Sequence, residues 1–277
     1  NVFKINVDFA LGYSMGEVSM FAALDCWEDP GALSEKMLQS PTFTHNLTGE
    51  LQTLRKHWGL AQAQPGVYEK LWETYTIKGT VDEVAAACED EDRVYVTIIN
   101  TPDSVVIGGY PQACERVIEK LGVRAMAMEI SNAIHSAPTF KEYENMENLY
   151  TLNTKGRIDT KIYSSSCYLP VPHRSTSIAN SIAKCFCEQV DFPRLINTVY
   201  EKGARVFMEM GPGRSLCSWI DKILKHEGVR PHVSIPVNAK GTPDEVTMFR
   251  ALAKLVSHGV PVQLDVLYSG SVIESRT

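Results

Sequence analysis

Hydrophobic and polar positions follow two different patterns along this chain. In the first quarter and the second half, short apolar runs are followed by longer stretches with apolar residues on one face. This is the pattern of β-strands followed by α-helices. It predicts strands at 161–165, 205–210 and 232–237 and helices at 17–24, 32–38, 49–58, 177–190, 192–202, 215–226 and 242–258. Alternating strands and helices predict an α/β fold with a mostly parallel sheet covered on both faces.

Residues 75–130 show the second pattern, in which the predicted strands and helices are short and closely spaced. The pattern there predicts strands at 75–78, 93–99, 104–107 and 123–130, with helices at 81–89 and 111–121. Thr80 followed by Glu83 is the signature of a capping box at the start of the first helix. The order βαββαβ is that of a ferredoxin-like subdomain. We therefore expect a core of residues 1–74 and 131–268, an inserted ferredoxin-like subdomain at 75–130, and a linker at 269–277.

The composition of the chain argues against several classes of protein. The 277 residues carry 27 lysines and arginines against 33 aspartates and glutamates, and the net charge of −6 removes the electrostatic basis for nucleic-acid binding. No apolar run approaches the roughly 18 residues that a membrane span needs. Seven cysteines without a CxxC pair favour reduced thiols and a cytoplasmic location. The chain starts without a signal peptide or a methionine, so we expect residue 1 to be a cut point within a longer polypeptide.

The strongest chemical motif is Gly12-Tyr13-Ser14-Met15-Gly16, a G-x-S-x-G sequence between an apolar strand and an apolar helix. In a nucleophile elbow this pattern forms a strained strand-to-helix turn that exposes the serine. Ser14 is then the candidate nucleophile. The backbone N–H of Met15, at the start of the helix, is placed to donate to an oxyanion. The alternative is a plain glycine-rich turn.

A serine nucleophile needs a general base, and His135 is the candidate. It follows the last strand of the 75–130 unit in a loop of small residues, Ser131, Ala133 and Ser136, which leaves room for a substrate. The other six histidines have positions typical of surface or capping residues. The alternative for His135 is an ordinary loop histidine.

A second glycine-rich turn, Gly211-Pro212-Gly213, follows the predicted strand at 205–210. Sites in parallel sheets form at the carboxyl ends of the strands. This loop is therefore a candidate source of a main-chain carbonyl that orients His135. The alternative is a tight turn without a role in the site.

Three motifs together resemble a known family. The motifs at 12–17 (Gly-Tyr-Ser-Met-Gly-Glu), 131–136 (Ser-Asn-Ala-Ile-His-Ser) and 209–213 (Glu-Met-Gly-Pro-Gly) stand in the family's order. They are similar to the G-H-S-x-G-E, S-H-A-F-H-S and E-x-G-P-G blocks of acyl-CoA:acyl-carrier-protein transacylases. That family carries a ferredoxin-like subdomain between its first two blocks. The chain most resembles the polyketide-synthase-like acyltransferase domains of polyunsaturated fatty acid synthases, through Tyr13 and Asn-Thr-Pro at 100–102.

The resemblance implies an α/β-hydrolase-like core and a two-step acyl transfer. Ser14 would attack an acyl-CoA with His135 as general base, and the phosphopantetheine thiol of an acyl carrier protein would then take the acyl group from the acyl-serine. The histidine of this Ser–His dyad is oriented by a main-chain carbonyl, for which the loop at Gly213 and Arg214 is the candidate. No metal and no bound cofactor are implied. The implied partners are acyl-CoA, an acyl carrier protein and neighbouring synthase domains.

Several positions depart from the family's pattern. The N-terminal strand and the G-Q-G-x-Q block of the family are missing, which leaves Met15 as the single identifiable oxyanion donor. Members that load malonyl groups pair an arginine with the carboxylate, but Gln39 stands near that position here. Arg55 takes this role if the intervening segment is an insertion, and is otherwise a surface charge. Asn132 and Ile134 replace the histidine and phenylalanine of malonyl-selective members, and residue 134 would border the acyl pocket.

Two further assignments concern substrate and partner. The resemblance places Asn100 among the substrate-binding residues. Carrier proteins are usually acidic, so Arg214, Lys222 and Lys225, which follow one predicted helix, are candidate docking residues. The alternative for these three is a solvated helix face.

Two other functions stay open. A serine thioesterase or hydrolase would use the same dyad with water as the acceptor, whereas a scaffold domain would carry a vestigial site. Glu17 after the elbow and the inserted subdomain favour transfer. The missing N-terminal block is the only support for a scaffold.

Overall fold

A computed structural model of the chain describes residues 2–63, 69–129, 132–226 and 228–268. The predicted linker at 269–277 and Ser131 of the second motif lie outside the described residues. The described chain forms two compact units, residues 9–199 and residues 2–8 together with 200–268. These units do not coincide with the boundaries expected around 75–130, which stay a prediction.

The strands and helices that the sequence predicts are present in order, whereas the short strand β7 was not predicted, because Val190 was assigned to the end of a helix at 177–190. The strands are β1 (Phe9–Leu11), β2 (Glu73–Lys78), β3 (Val94–Thr101), β4 (Ser104–Gly109), β5 (Ala125–Met128), β6 (Lys161–Tyr163), β7 (Val190–Asp191), β8 (Val206–Glu209) and β9 (Val233–Pro236). The α-helices are α1 (Gly16–Ala23), α2 (Gly31–Gln39), α3 (Gln52–Trp58), α4 (Val81–Cys88), α5 (Pro111–Leu121), α6 (Tyr143–Tyr150), α7 (Ser175–Cys187), α8 (Phe192–Glu201), α9 (Ser215–His226) and α10 (Asp244–Ser257). A π-helical turn spans Thr42–Asn46, and 3₁₀ turns span Ala137–Glu142 and Asp265–Leu267.

Two strands of the 9–199 unit end together where the first motif begins. β1 and β6 pair in parallel, with Leu11 opposite Tyr163. Parallel strands point in the same direction, so residues 12–16 and residues 164–165 leave the pair at the same edge. Buried apolar residues form the core beside this pair, among them Phe21, Trp27, Met146, Tyr150, Ile178 and Phe186.

The largest sheet of the described residues is mainly antiparallel and lies in the same unit. Its strand order is β5-β2-β4-β3-β7, and only the β3–β7 pair is parallel. Helices α4 and α5 pack on it through Val84, Ala113 and Val117. Thr80 and Glu83 exchange side-chain-to-backbone hydrogen bonds at the start of α4, which confirms the predicted capping box.

The second unit contains the third motif. β8 and β9 pair in parallel, and Ala251 and Leu255 of α10 pack with Ile235 in its apolar core. The Glu209 carboxylate, at the end of β8, accepts hydrogen bonds from the N–H groups of Leu216 (3.2 Å) and Cys217 (2.7 Å). This negative charge stabilises the N-terminus of α9, where unpaired N–H groups and the helix dipole favour an anion.

The fold is a mixed α/β fold, but the expected parallel sheet differs in extent. Among the described strands, the parallel pairs β1–β6 and β8–β9 are each two-stranded. The strands predicted at 161–165 and 205–210 shorten to three and four residues. Helix α3 also begins later than predicted, at Gln52, because Leu51 has a φ of +52° and cannot continue a right-handed helix.

The structure also bears on the cysteines and on the possibility of a membrane-spanning helix. All seven cysteines lie among the described residues, and all are free. In the part of the chain that the structure describes, no helix has the length and the apolar character needed to cross a membrane.

Candidate active site

Ser14 lies on a sharp turn between β1 and α1. Its φ of +53° is a left-handed conformation that is costly for a residue with a Cβ and that clusters at functional sites. Gly12 is required at the start of this turn, because a Cβ at position 12 would overlap the backbone of Glu17. At Gly16, by contrast, a Cβ would stand in open space. The strand–turn–helix geometry that the motif predicts is present, and Gly12 is the glycine that it requires.

The side chain of Ser14 meets that of His135. Ser14 Oγ lies 2.7 Å from His135 Nε2. On the other side of the ring, Nδ1 lies 2.6 Å from the carbonyl oxygen of Cys185 and 3.3 Å from that of Glu188. Carbonyl oxygens only accept hydrogen bonds, so Nδ1 carries the proton and donates it. In the neutral ring Nε2 is then the acceptor, and Ser14 donates its hydroxyl proton to it.

The imidazole of His135 is enclosed. His135 is 2% exposed, and its backbone N–H donates to the carbonyl of Phe186 at 2.7 Å. The ring lies nearly parallel to that of Phe186, with centroids 6.4 Å apart. Burial lowers the pKa of His135 from 6.5 to about 4, although the two carbonyl hydrogen bonds act in the opposite direction. The imidazole is therefore neutral at pH 7 and able to accept a proton.

The carbonyl that orients His135 does not come from the predicted loop. We expected it at Gly213 and Arg214, whereas the structure places the Cys185 carbonyl, in the last turn of α7, at Nδ1. Gly213 instead donates its N–H to Asn238 Oδ1 at 2.9 Å, and Arg214 is exposed just before α9. The expectation is wrong because a main-chain carbonyl leaves no signal in the residue types, so the sequence did not point to Cys185.

Asn100 contacts the elbow through Tyr13. Tyr13 Oη donates to Asn100 Oδ1 at 2.6 Å, and the Tyr13 ring meets Phe192 edge-on with centroids 5.5 Å apart. Asn100 is buried at the end of β3. Burial also raises the pKa of Tyr13, which keeps the phenol a neutral donor. Asn100 therefore anchors the residue before the candidate nucleophile, and its role in substrate binding stays a prediction.

The guanidinium of Arg55 is hydrogen-bonded to residues close to it in sequence. Its Nε and Nη1 each donate at 3.0 Å to carbonyl oxygens, those of Glu50 and Ala61 respectively, and Nη2 pairs with Glu69 Oε2 at 2.9 Å. Arg55 is 8% exposed. A buried guanidinium with all three nitrogens engaged is a structural crosslink. The alternative of a surface charge is therefore wrong, whereas the predicted pairing of Arg55 with a substrate carboxylate stays a prediction.

The loop before His135 is fixed by its backbone. Ala133 donates its N–H to the carbonyl of Leu47 at 3.2 Å, and its own carbonyl accepts from Thr139 Oγ1 at 2.6 Å. Ile134 is partly buried and packs against the core beside β1 and β6. Asn132 is half-buried. The acyl-pocket roles of Asn132 and Ile134 stay a prediction.

A buried carboxylate, that of Glu142, anchors the segment after His135. It accepts hydrogen bonds from Thr42 Oγ1 (2.9 Å), Asn46 Nδ2 (3.1 Å), Asn145 Nδ2 (3.0 Å) and Thr53 Oγ1. Burial alone would raise the pKa of Glu142, but these hydrogen bonds lower it by more. The carboxylate thereby joins the π-helical turn, α3 and α6 beside the His135 loop.

A second buried carboxylate, that of Glu17, lies in the first turn of α1. Its Oε1 accepts from Ser164 Oγ at 2.9 Å and from Ser181 Oγ. Its Oε2 accepts from the N–H of Ser165 at 3.1 Å and from Ser165 Oγ at 2.8 Å. Burial raises the pKa of Glu17, against the effect of these hydrogen bonds. The sequence did not predict that three separate serines would converge on this residue.

The predicted docking residues lie at one helix of the second unit. Arg214 precedes α9, Lys222 and Lys225 lie on it, and all three are exposed. Their role in docking stays a prediction. Across the described ranges, no three histidine, cysteine, aspartate or glutamate side chains are grouped so that they could hold a metal ion.

Comparisons with known proteins bear on the role of this site. The sequence model of the family described as "Acyl transferase domain" matches residues 67–261, which include His135 and not Ser14. A polyunsaturated fatty acid synthase subunit of Thraustochytrium sp. is 27% identical over 278 residues, which cover 94% of this chain and 13% of that protein. The malonyl CoA-acyl carrier protein transacylase of Staphylococcus aureus is 24% identical over 242 residues, covering 79% of this chain and 68% of that protein.

Solved structures share the fold. The acyltransferase domain from the second module of the salinomycin polyketide synthase superposes with a TM-score of 0.73 at 20% identity. The match covers 97% of this chain and 58% of that chain. This chain thus spans about an eighth of the Thraustochytrium synthase protein and little more than half of the salinomycin structure.

Proposed function

Because this chain belongs to the acyl transferase domain family, we propose that it transfers an acyl group from coenzyme A to an acyl carrier protein through an ester on Ser14. One observation carries the proposal: Ser14 Oγ lies 2.7 Å from His135 Nε2, while Nδ1 of the same ring is bonded to the Cys185 carbonyl. The name of the Staphylococcus aureus relative supports a carrier protein as the acceptor.

In the first step, Ser14 Oγ attacks the thioester carbonyl carbon while His135 Nε2 takes the hydroxyl proton. The backbone N–H of Met15 donates to the oxyanion that forms. When this intermediate collapses, the C–S bond breaks and the coenzyme A sulfur leaves with the proton from His135. The products are an acyl-Ser14 ester and free coenzyme A.

In the second step, the same groups act in reverse order. His135 Nε2 takes the proton of the phosphopantetheine thiol, and the thiolate attacks the ester carbonyl. The bond to Ser14 Oγ then breaks, and the serine recovers its proton from His135. In both steps the imidazolium forms while Nδ1 still donates to the Cys185 carbonyl, which stabilises the transient charge.

The fold around the site supports the division into core and insert. The strand order β5-β2-β4-β3, with α4 and α5 packed on it, fits a ferredoxin-like subdomain at 75–130. The parallel pairs β1–β6 and β8–β9 fit an α/β-hydrolase-like core of 1–74 and 131–268. The chain then works beside neighbouring synthase domains, as its 13% share of the Thraustochytrium protein suggests.

The test separates transfer from hydrolysis. The chain is incubated with a panel of acyl-CoAs (acetyl, malonyl and long-chain), and intact mass spectrometry follows the acylated protein. Holo acyl carrier protein is then added. Transfer predicts that the acyl mass leaves this chain and appears on the carrier protein. Release of free acid at the same rate with and without carrier protein would indicate a thioesterase, and no acyl adduct from any donor would indicate a vestigial site.

A further inference from the structure

Glu17 is an acid buried directly behind the candidate nucleophile. It is fully buried, and its described partners are hydroxyl, amide and thiol donors with no cation among them. Burying a carboxyl group without an opposite charge is costly even when it is hydrogen-bonded. An apolar side chain at the start of α1 would avoid this cost, so the acid at this position needs an explanation beyond core packing.

The backbone of Glu17 is fixed against the elbow. Gly12 packs so closely on the Glu17 Cα that a Cβ at position 12 would overlap it. The Glu17 N–H donates to the Ser14 carbonyl at 2.9 Å. A displacement of the Glu17 backbone would therefore displace Ser14 as well.

The carboxylate of Glu17 connects this turn to two other elements. Ser164 and Ser165 follow β6, the strand that pairs with β1, whereas Ser181 lies within α7. Each carboxylate oxygen accepts two hydrogen bonds, and one of the donors to Oε1 comes from α7. The elbow, the end of β6 and the middle of α7 are therefore held together at a single side chain.

Helix α7 then carries the connection to the histidine. Cys185 is one turn beyond Ser181, so the two residues share a face of the helix. The Cys185 thiol lies 3.2 Å from Ser165 Oγ and 3.8 Å from the Ser14 carbonyl oxygen. The carbonyl oxygen of the same residue accepts the Nδ1 proton of His135 at 2.6 Å. One helical turn therefore contacts both members of the candidate dyad.

We infer that Glu17 is a positioning residue, whose carboxylate holds α7 against the elbow so that the Cys185 carbonyl keeps His135 within hydrogen-bonding distance of Ser14. The inference rests on the proposed use of Ser14 and His135 as the reacting pair. Glu17 does not touch the substrate and moves no proton. Its effect is on the distance and the angle between the two reacting side chains.

The hydrogen-bond pattern separates a geometric role from an electrostatic one. Oε1 faces two serine hydroxyls, which can rotate to accept, whereas Oε2 faces the fixed N–H of Ser165. In Glu17→Gln the amide oxygen can face Ser165 and the amide nitrogen can face Ser164 and Ser181, so every contact survives without the charge. Glu17→Ala removes all of them.

The experiment measures the reactivity of Ser14 directly. A fluorophosphonate probe forms a P–O bond with an activated serine and releases fluoride, and it needs no knowledge of the natural acyl group. The labelling rate is followed by intact mass for the wild-type chain, Glu17→Ala and Glu17→Gln, with Ser14→Ala to confirm the labelled position. Circular dichroism confirms that each variant is folded at the assay temperature.

A matched control accounts for lost stability. Val117 of α5 is fully buried in the apolar cluster of the β2–β5 sheet and has no contact with Ser14, His135 or Glu17 among the described interactions. Val117→Ala therefore lowers stability without changing the dyad. We expect Val117→Ala to be labelled at the wild-type rate, because a loss of stability alone leaves the geometry of the dyad unchanged. If Glu17→Ala does not fold, Ser181→Ala replaces it, because that variant removes the serine hydroxyl of α7 that donates to Glu17 and leaves Ser164 and Ser165 in place.

We expect Glu17→Ala to label up to about 10²-fold more slowly, the loss that a misplacement of about 1 Å produces. Glu17→Gln should label at nearly the wild-type rate. With a reactive acyl-CoA, the rate constant of acylation should fall while the half-saturating concentration is unchanged. Wild-type labelling by a folded Glu17→Ala or Ser181→Ala would overturn the inference. A wild-type chain that reacts with the probe and with no acyl-CoA would overturn the proposed function alone.

Discussion

His135 donates from Nδ1 and accepts at Nε2, an assignment that follows from the two carbonyl oxygens at Nδ1. At the scale of single residues, this hydrogen-bond direction decides what the site can do. A ring with the opposite tautomer would present an N–H to Ser14 and could not take its proton. The backbone of both residues adds to the arrangement, because Ser14 and His135 each have a positive φ, at +53° and +56°. Such backbone strain persists only where the surrounding structure enforces it.

The low pKa of His135 predicts the pH dependence of acylation. Burial lowers this pKa to about 4, so Nε2 keeps its lone pair well below pH 6.5. We expect the single-turnover rate of Ser14 acylation to stay near its neutral value down to about pH 5 and to fall as the pH passes through about 4. Rapid-quench mass spectrometry between pH 4 and 8 measures it, with circular dichroism at each pH as the control for folding. A rate that is already halved near pH 6.5 would contradict the buried environment.

At the scale of elements, the sequence predicted individual helices, caps and turns better than it predicted the contacts between them. The helix at 111–121 and the capping box at Thr80 followed from periodicity and short-range spacing, and both are present. The turn at Ser14 followed from its glycines and flanking apolar residues. These features depend on neighbours in sequence, which the residue types record.

Long-range contacts were not predictable in this way. The Cys185 carbonyl at His135 and the serines at Glu17 come from segments more than 45 residues away, and no spacing rule links them. Arg55 was assigned from its residue type and the family resemblance, neither of which indicates its partners Glu50, Ala61 and Glu69. Such assignments need the tertiary structure.

The close approach of β1 and α1 predicts different effects at the two glycines of the elbow. Gly12→Ala places a Cβ against the Glu17 backbone, and we expect it to lower the free energy of unfolding by at least about 2 kcal/mol. Gly16→Ala has open space and should be neutral or stabilising by up to about 1 kcal/mol. Urea unfolding of the two variants provides the comparison. Equal stabilities would mean that the strand and the helix do not approach as described.

At the scale of the whole molecule, charge distribution matters more than net charge. The chain carries a net charge of −6, which by itself would repel an acidic carrier protein. Arg214, Lys222 and Lys225 nevertheless place three exposed cations along α9 and its start. Local complementarity of this kind governs encounter rates and orientation more than the total charge does.

Charge reversal on α9 tests the docking proposal. In the double variant Lys222→Glu, Lys225→Glu, we expect the half-saturating concentration of holo carrier protein to rise about tenfold, because a favourable encounter becomes repulsive. Acylation by acyl-CoA alone should be unchanged, which serves as the internal control. The wild-type value should also rise with salt, since exposed charges are screened over about 8 Å at physiological ionic strength. An unchanged carrier dependence would place docking elsewhere.

The central claim is that Ser14 is acylated with the help of His135. The most direct measurement is a single turnover with a reactive acyl-CoA, quenched in acid and digested, followed by mass spectrometry of the peptide that contains Ser14. The account predicts an acyl ester on this peptide in the wild-type chain, none in Ser14→Ala, and formation about 10²–10⁴-fold slower in His135→Gln. An ester on another residue, or one that forms at the wild-type rate in His135→Gln, would contradict it.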